Sequence, residues 1–230
     1  MLVKWPWVSL PAAAAHRLRF TEANASARVR EVRAWFAERQ RERFTWWVGD
    51  SATPRDLGER LEDLGAKPWD EEPLIATMLV TEPPPPVAGV EVQPVDTYER
   101  FVQAQEVSWR ASELSEGEIA SRREHLEQRW RARQADETTF LALVDGQPVA
   151  SGTMLACPFA GFLSGAATLP EARGRGAFRA LVRARWEEAV RRGTPALVVG
   201  AGAMSRPILE RIGFQAVSET RVFVDRSSRS

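Results

Sequence analysis

A turn with two glycines and two arginines, Arg173-Gly174-Arg175-Gly176, stands between an apolar run and an amphipathic one. That order restricts this part of the chain to strand, tight turn, helix. The apolar run is Phe162 to Leu169; after it, Phe178, Leu181, Val182, Trp186, Ala189 and Val190 recur at helical spacing as far as Arg192. Free N–H groups at a helix start, the positive end of its dipole and nearby guanidinium groups favour a bound phosphate or pyrophosphate. Glycine lets the backbone come close to such a group. A turn that only closes a strand is the other reading of the same residues.

At 230 residues the chain can bury a large core and hold one domain or one and a half. An apolar fraction of 44% with nine tryptophans and 27% charge describes a folded soluble protein. The 31 basic residues equal the 31 acidic ones, so no global field points to nucleic acid or an anionic membrane. Cys157 is the only cysteine, and His16 and His125 the only histidines, which leaves no internal disulfide and little material for a metal. A cytoplasmic setting fits. Lys4 followed by Trp5 to Ala15 has the outline of a short signal peptide, but Pro6 and Pro11 break its apolar centre, and no run reaches the ~20 apolar residues of a spanning helix.

Taken in order, Ser26 reads as the N-cap of a helix to about Arg43, Phe44 to Val48 as a buried strand, and Thr53-Pro54 as the opening of a second helix lined by Leu57, Leu61 and Leu64 and ended by Gly65. Leu74 to Thr81 is a further strand. The prolines 83–86 can continue neither ladder nor helix, so they form a semi-rigid spacer or a proline-rich ligand for a partner domain. A second unit follows: a strand at 90–95, a helix from Thr97 to Trp109, and one Arg- and Glu-rich helix from Glu116 to Ala135. Phe140 to Val144 and Val149 to Leu155 form a hairpin around Asp145-Gly146. After the glycine turn and its helix come a strand at 196–200, a short helix from Arg206 to Ile212 ended by Gly213, a strand region at 216–224, and a frayed polar tail from Asp225.

Arg173, Gly176 three positions on and Phe178 beyond it resemble the acyl-CoA motif of the GNAT acetyltransferase superfamily: Arg or Gln, two free positions, Gly, one free position, Gly or Ala. Ala167-Thr168-Leu169-Pro170-Glu171 is similar to the strand end and Pro-Glu turn that precede the motif there. Pro207 to Phe214 resembles the family's last helix, which commonly ends in Leu or Ile, Gly, Phe. Phe178 departs from the small residue usual at its position. The resemblance covers about 90 to 225 and implies an α/β (α+β) fold, with a mixed central sheet flanked by helices. It gives four segments: 1–82 as a smaller αβαβ unit, 83–89 as linker, 90–225 as the GNAT domain and 226–230 as flexible tail.

The first unit carries an echo of the second. Trp35 precedes Val48-Gly49 by the same interval at which Trp186 precedes Val199-Gly200, and Leu61-Glu62-Asp63-Leu64-Gly65 is similar to Leu209-Glu210-Arg211-Ile212-Gly213. Residues 1–82 thus read as a degenerate half-domain without the motif turn, although any αβαβ segment scores some matches.

The resemblance implies acetyl-CoA, or another short acyl-CoA, as co-substrate, no metal, and transfer to a primary amine of a small molecule or protein by direct attack. Ala166, Ala167 and Thr168 would offer backbone groups to the pantetheine arm, and Arg173, Gly174, Arg175, Gly176, Ala177 and Phe178 would wrap the pyrophosphate. A lysine-like amine has a pKa near ~10.4, so something must take its proton. The tyrosine that many relatives use as general acid falls on Leu209, and Tyr98, the only tyrosine, lies elsewhere. Ser205 is a candidate for protonating sulfur or a plain N-cap; Glu106 and Glu113 are candidate bases or solvated carboxylates; Cys157 is an acyl-accepting thiol or a small buried residue. A non-catalytic acyl-CoA-binding module is the alternative function. Neither nucleic acid nor membrane is an expected partner.

Overall fold

The computed structural model describes residues 2–3, 13–70 and 73–228. In chain order the elements are β1 (Leu2–Val3), β2 (Ala14–Ala15), α1 (Ala25–Glu38), β3 (Arg43–Gly49), α2 (Leu57–Asp63), β4 (Lys67–Pro68), β5 (Leu74–Val80), β6 (Glu91–Pro94), α3 (Tyr98–Ala111), α4 (Glu116–Arg123), α5 (Leu126–Arg131), β7 (Glu137–Val144), β8 (Gln147–Ala156), β9 (Gly161–Thr168), a 3₁₀ turn (Pro170–Ala172), α6 (Ala177–Arg191), β10 (Leu197–Ala201), α7 (Arg206–Glu210) and β11 (Gln215–Arg226). They fall into two compact units. One comprises residues 1–77, 200–207 and 216–230; the other comprises 78–199 and 208–215.

In the first unit the strands run β1-β2-β3-β11-β5, with β4 also on β11. Phe44, Trp46 and Val48 alternate along β3 and face one side, as a period of two requires. They pack with Val29 and Phe36 of α1, Leu57 and Leu61 of α2, and Phe223 of β11. Phe36 stacks on Phe44 with ring centroids 4.2 Å apart. β11 runs antiparallel to β3 from Thr220 opposite Gly49 to Arg226 opposite Arg43. Residues 216–228 therefore group with the first unit, where division by chain order assigns them to 90–225 and a tail. Asp225, expected in a frayed tail, is buried, and the Ser227 N–H donates to the Glu42 carbonyl at 3.0 Å.

Several local boundaries differ from the sequence reading. Asn24 takes the N-cap position, not Ser26, and trades hydrogen bonds with Thr21 at 2.8 and 3.2 Å. The helix stops at Glu38 instead of Arg43, because the residues from Arg43 onward pair with β11. α2 begins at Leu57, after an Asp56 cap, and not at Thr53-Pro54, where the Thr53 N–H donates to Leu18 and its hydroxyl to Phe20. The signal-peptide-like stretch from Lys4 to Ala12 lies outside the described residues; Ala13, Ala14 and Ala15 are buried, the last two in β2 beside Thr45 and Trp46.

In the second unit β6, β7, β8 and β9 are consecutive antiparallel neighbours and β10 is parallel to β9. The helices cover both faces. The Ser151 hydroxyl donates to Ala104 of α3 at 3.1 Å, while the next residue, Gly152, meets α6. The stretch expected as one helix over 116–135 is two, α4 and α5, interrupted at Glu124-His125. Ser115 and Glu118 close a capping box at the start of α4. Asp145 and Gly146, both at positive φ, make the hairpin turn between β7 and β8. Among the described residues no helix is long and apolar enough to cross a membrane, and no three His, Cys, Asp or Glu side chains gather as metal ligands.

Candidate functional site

β9 carries the feature on which the site depends. Ser151 pairs with Ala167 and Thr153 with Ser164, so Gly152 alone faces two residues, Gly165 and Ala166. This is a β-bulge, with Gly165 at φ 58° supplying the left-handed residue. On its other side β9 pairs with β10 at Gly161–Leu197 and Phe162–Val198, before the bulge. A parallel pair that stops pairing as one strand bulges leaves backbone groups free to accept and donate elsewhere.

Past Thr168 the chain makes its 3₁₀ turn over Pro170–Ala172 and reaches the glycines. Gly174 has φ 80° and Gly176 φ 89°, conformations that cost a side chain but suit glycine. Gly176 is the N-cap of α6 and has no side chain to cap it. The first intrahelical bond is from the Ala180 N–H to Gly176, so the N–H groups of Ala177, Phe178 and Arg179 point out of the helix start unpaired within it. A Cβ at Gly176 would come 2.7 Å from Val87 Cγ1 and 3.6 Å from Arg179 Nη2.

Three arginines, Arg173, Arg175 and Arg179, flank this start in sequence. Arg175 donates to Asp145 Oδ2 of the hairpin turn at 2.6 Å. Arg173 and Arg179 are exposed and make no side-chain hydrogen bond or ion pair among the described residues. A helix start with free N–H groups and two uncommitted cations can bind a di-anionic pyrophosphate. Phe178 is half-buried and Ala177 buried, so the larger residue at 178 is accommodated against the core.

The other sequence candidates are scattered. Both oxygens of Glu106 on α3 accept from Arg123 of α4, at 2.6 and 2.9 Å, which makes the pair a tie between helices. Glu113 follows α3 at φ 54° and has no side-chain partner among the described residues. Ser205 precedes α7, in the first unit, and its hydroxyl donates to Gly202 over a long 3.4 Å. Leu209 on α7 is 1% exposed. Tyr98 begins α3 and packs edge-on against Trp130 at 6.1 Å. Cys157 lies exposed in the connection between β8 and β9, not buried in a strand, because β8 ends at Ala156.

Two residues escaped the sequence reading. Gly165 makes the bulge, and Arg185, buried in the middle of α6, packs on Gly152. Arg185 lies four residues after Leu181 and four before Ala189, on the apolar stripe, and that spacing was the available signal.

A family model described as the acetyltransferase (GNAT) family matches residues 99–214. No curated protein matches the sequence. Among solved structures, a GCN5-related N-acetyltransferase from Kribbella flavida superposes with a TM-score of 0.69 at 19% identity, over 94% of this chain and 82% of that one. A GCN5-related N-acetyltransferase from Sphaerobacter thermophilus gives 0.62 at 18%, over 91% and 73%. A tandem GNAT protein from the clavulanic acid biosynthesis pathway gives 0.65 at 15%, over 96% and 77%. At such identities these neighbours speak for the fold alone, and the family model speaks for descent. The chain belongs to the GNAT acetyltransferase family.

Proposed function

We propose that the protein transfers an acetyl or other short acyl group from acyl-CoA to a primary amine by direct attack. The observation that carries this reading is the order bulged strand, left-handed glycines, uncapped helix start, with Arg173 and Arg179 uncommitted beside it. In this reading Ala166, Ala167 and Thr168 lie along the pantetheine arm, and Arg173 to Phe178 hold the pyrophosphate. The amine nitrogen bonds to the thioester carbon and gives up one proton, the C–S bond breaks, and the leaving thiolate takes one proton, so amide and free thiol result. Holding amine and thioester together supplies up to ~7–11 kcal/mol of the barrier reduction. Glu113, whose side chain makes no ion pair among the described residues, is the proposed proton carrier within the second unit, and Glu106 serves as the α3–α4 tie. The segment before the prolines is proposed as a degenerate half-domain of the same fold: α1-β3-α2-β5 repeats the order α6-β10-α7-β11.

Calorimetric titration with acetyl-CoA tests the reading. Bound ligand at a hundred times its dissociation constant stabilises the fold by about 2.7 kcal/mol. Gly176→Trp should abolish that gain, and a wild-type protein that gives no heat and no stabilisation sinks the proposal. A screen of amines monitored by free thiol then tests turnover. One observation favours a second reading, an acyl-CoA-binding module without catalysis: Leu209, fully buried, stands where the family's acid usually does. Binding without thiol release across the amine panel is its expected signature.

A further inference from the structure

Arg185 is 0% exposed and has no carboxylate partner among the described residues. Its Nε donates to the Leu181 carbonyl at 2.9 Å, one Nη reaches the Thr153 carbonyl at 3.4 Å, and the other Nη is buried with no hydrogen-bond partner among the described residues. The two acids of its own helix serve other donors: Glu187 accepts from Arg183, and Glu188 from Arg191, Arg192 and Thr138. Burial pushes the Arg185 guanidinium down to about 9. A cation buried without an anion opposes folding, and an apolar residue of similar length would fill this space at lower cost.

Where the guanidinium sits gives it a use. A Cβ on Gly152 would come within 3.1 Å of Arg185 Cζ and 3.1 Å of one Nη, so the glycine is a notch into which the guanidinium fits. Gly152 is also the single β8 residue opposite the two bulged residues of β9. Arg185 is nine residues after Gly176, about 13 Å down the helix from the phosphate turn. That is the depth of the bulge, not of the turn.

Resting on the acyl-CoA reading above, we infer that Arg185 is a positioning residue: lodged in the Gly152 notch and bonded to Thr153, it locks β8 under the bulge of β9 and so holds open the backbone slot for the pantetheine arm. It touches neither phosphate nor acyl group. Its effect should therefore divide the ligand: strong on the arm, absent on the nucleotide.

The experiment compares acetyl-CoA with 3′-phospho-ADP, which has the pyrophosphate but no pantetheine arm, by calorimetry on the full chain. Arg185→Met should weaken acetyl-CoA by about ten-fold or more and leave 3′-phospho-ADP unchanged. Arg185→Lys should recover part of the loss, and Gly152→Ala, whose Cβ would press on the guanidinium at 3.1 Å and force it to shift, should weaken acetyl-CoA in the same direction. If Arg185→Met does not fold, Arg185→Lys and Gly152→Ala carry the same comparison. Unchanged acetyl-CoA affinity, or equal weakening of both ligands, overturns the inference. A wild-type protein that binds neither ligand removes the acyl-CoA reading, and this inference with it.

Discussion

Val87, at the end of the proline segment, lies against the face of Gly176 where a side chain would stand: a Cβ there would be 2.7 Å from Val87 Cγ1. The residue that opens α6 is thus glycine for two independent reasons, its φ of 89° and this contact.

Gly176→Ala and Gly174→Ala separate those reasons. Both residues have positive φ, but a Cβ at Gly174 meets nothing within 4 Å. Strain alone costs about 1–3 kcal/mol, so Gly174→Ala is expected to destabilise by that amount and Gly176→Ala by more. Val87→Ala should recover the excess in the second variant and nothing in the first. Urea unfolding of the four proteins checks this.

Asp225 in β11 accepts from Arg33 Nε of α1 and from Trp46 Nε1 of β3, each at 2.8 Å. The side chains of Asp225 and Arg33 are 5% and 15% exposed. Asp225→Ala strands the buried Trp46 indole N–H and leaves the largely buried Arg33 guanidinium with only the Leu64 carbonyl, and the expected loss is about 3–5 kcal/mol. Replacing Arg33 by Met in the same chain should return much of it. An unfolding midpoint for Asp225→Ala close to wild type would contradict the tie.

Burial lowers the pKa of His16, which packs on Trp47 with ring centroids 5.1 Å apart. The folded protein therefore keeps this imidazole neutral at pH values where the unfolded chain has already taken a proton. Stability should fall as pH drops below about 6.5, the ordinary histidine value, and level off once the folded form also protonates. His16→Gln is expected to flatten that slope while leaving the curve above neutrality in shape. Denaturant midpoints across the acid range decide it.

Glu106→Gln removes one partner of the Arg123 pair without changing size. Because the pair is partly exposed, the stability change should stay under about 1 kcal/mol. Acyl transfer should proceed at the wild-type kcat; a large drop in kcat with unchanged stability would return Glu106 to the list of bases.

Most of the second unit was readable because its signals are local. Asp145-Gly146 dictates its hairpin, Thr97 caps α3 by accepting from Arg100 at 3.3 Å, and Gly213 at φ 99° follows α7 as its pattern requires. The glycine turn before α6 was readable for the same reason: its glycines are needed where they stand. What failed depended on distant partners. Arg43 continues a helical pattern but pairs with Arg226 in a strand, and β pairing over that separation leaves no mark in a short window. The bulge at Gly165 is defined by its register with β8, not by its own sequence. Arg185 resembles every other arginine of an arginine-rich chain until Gly152 is placed beside it. Asp225 looked like the start of a loose end, because nothing nearby in sequence announces Arg33 and Trp46.

The grouping of residues 216–228 with residues 13–70 also sets an order of events during synthesis. Residues 78–199 lack only 208–215 of their unit once they have left the ribosome, and can begin to collapse while translation continues. β3 must wait longer, since it has no antiparallel neighbour on its β11 side until residues 220–226 are made. For that interval β3 exposes an unpaired edge bearing Phe44, Trp46 and Trp47, the kind of edge that captures other chains. Expression yield should therefore suffer more from slowing translation between residues 49 and 226 than from slowing it before β3 is made.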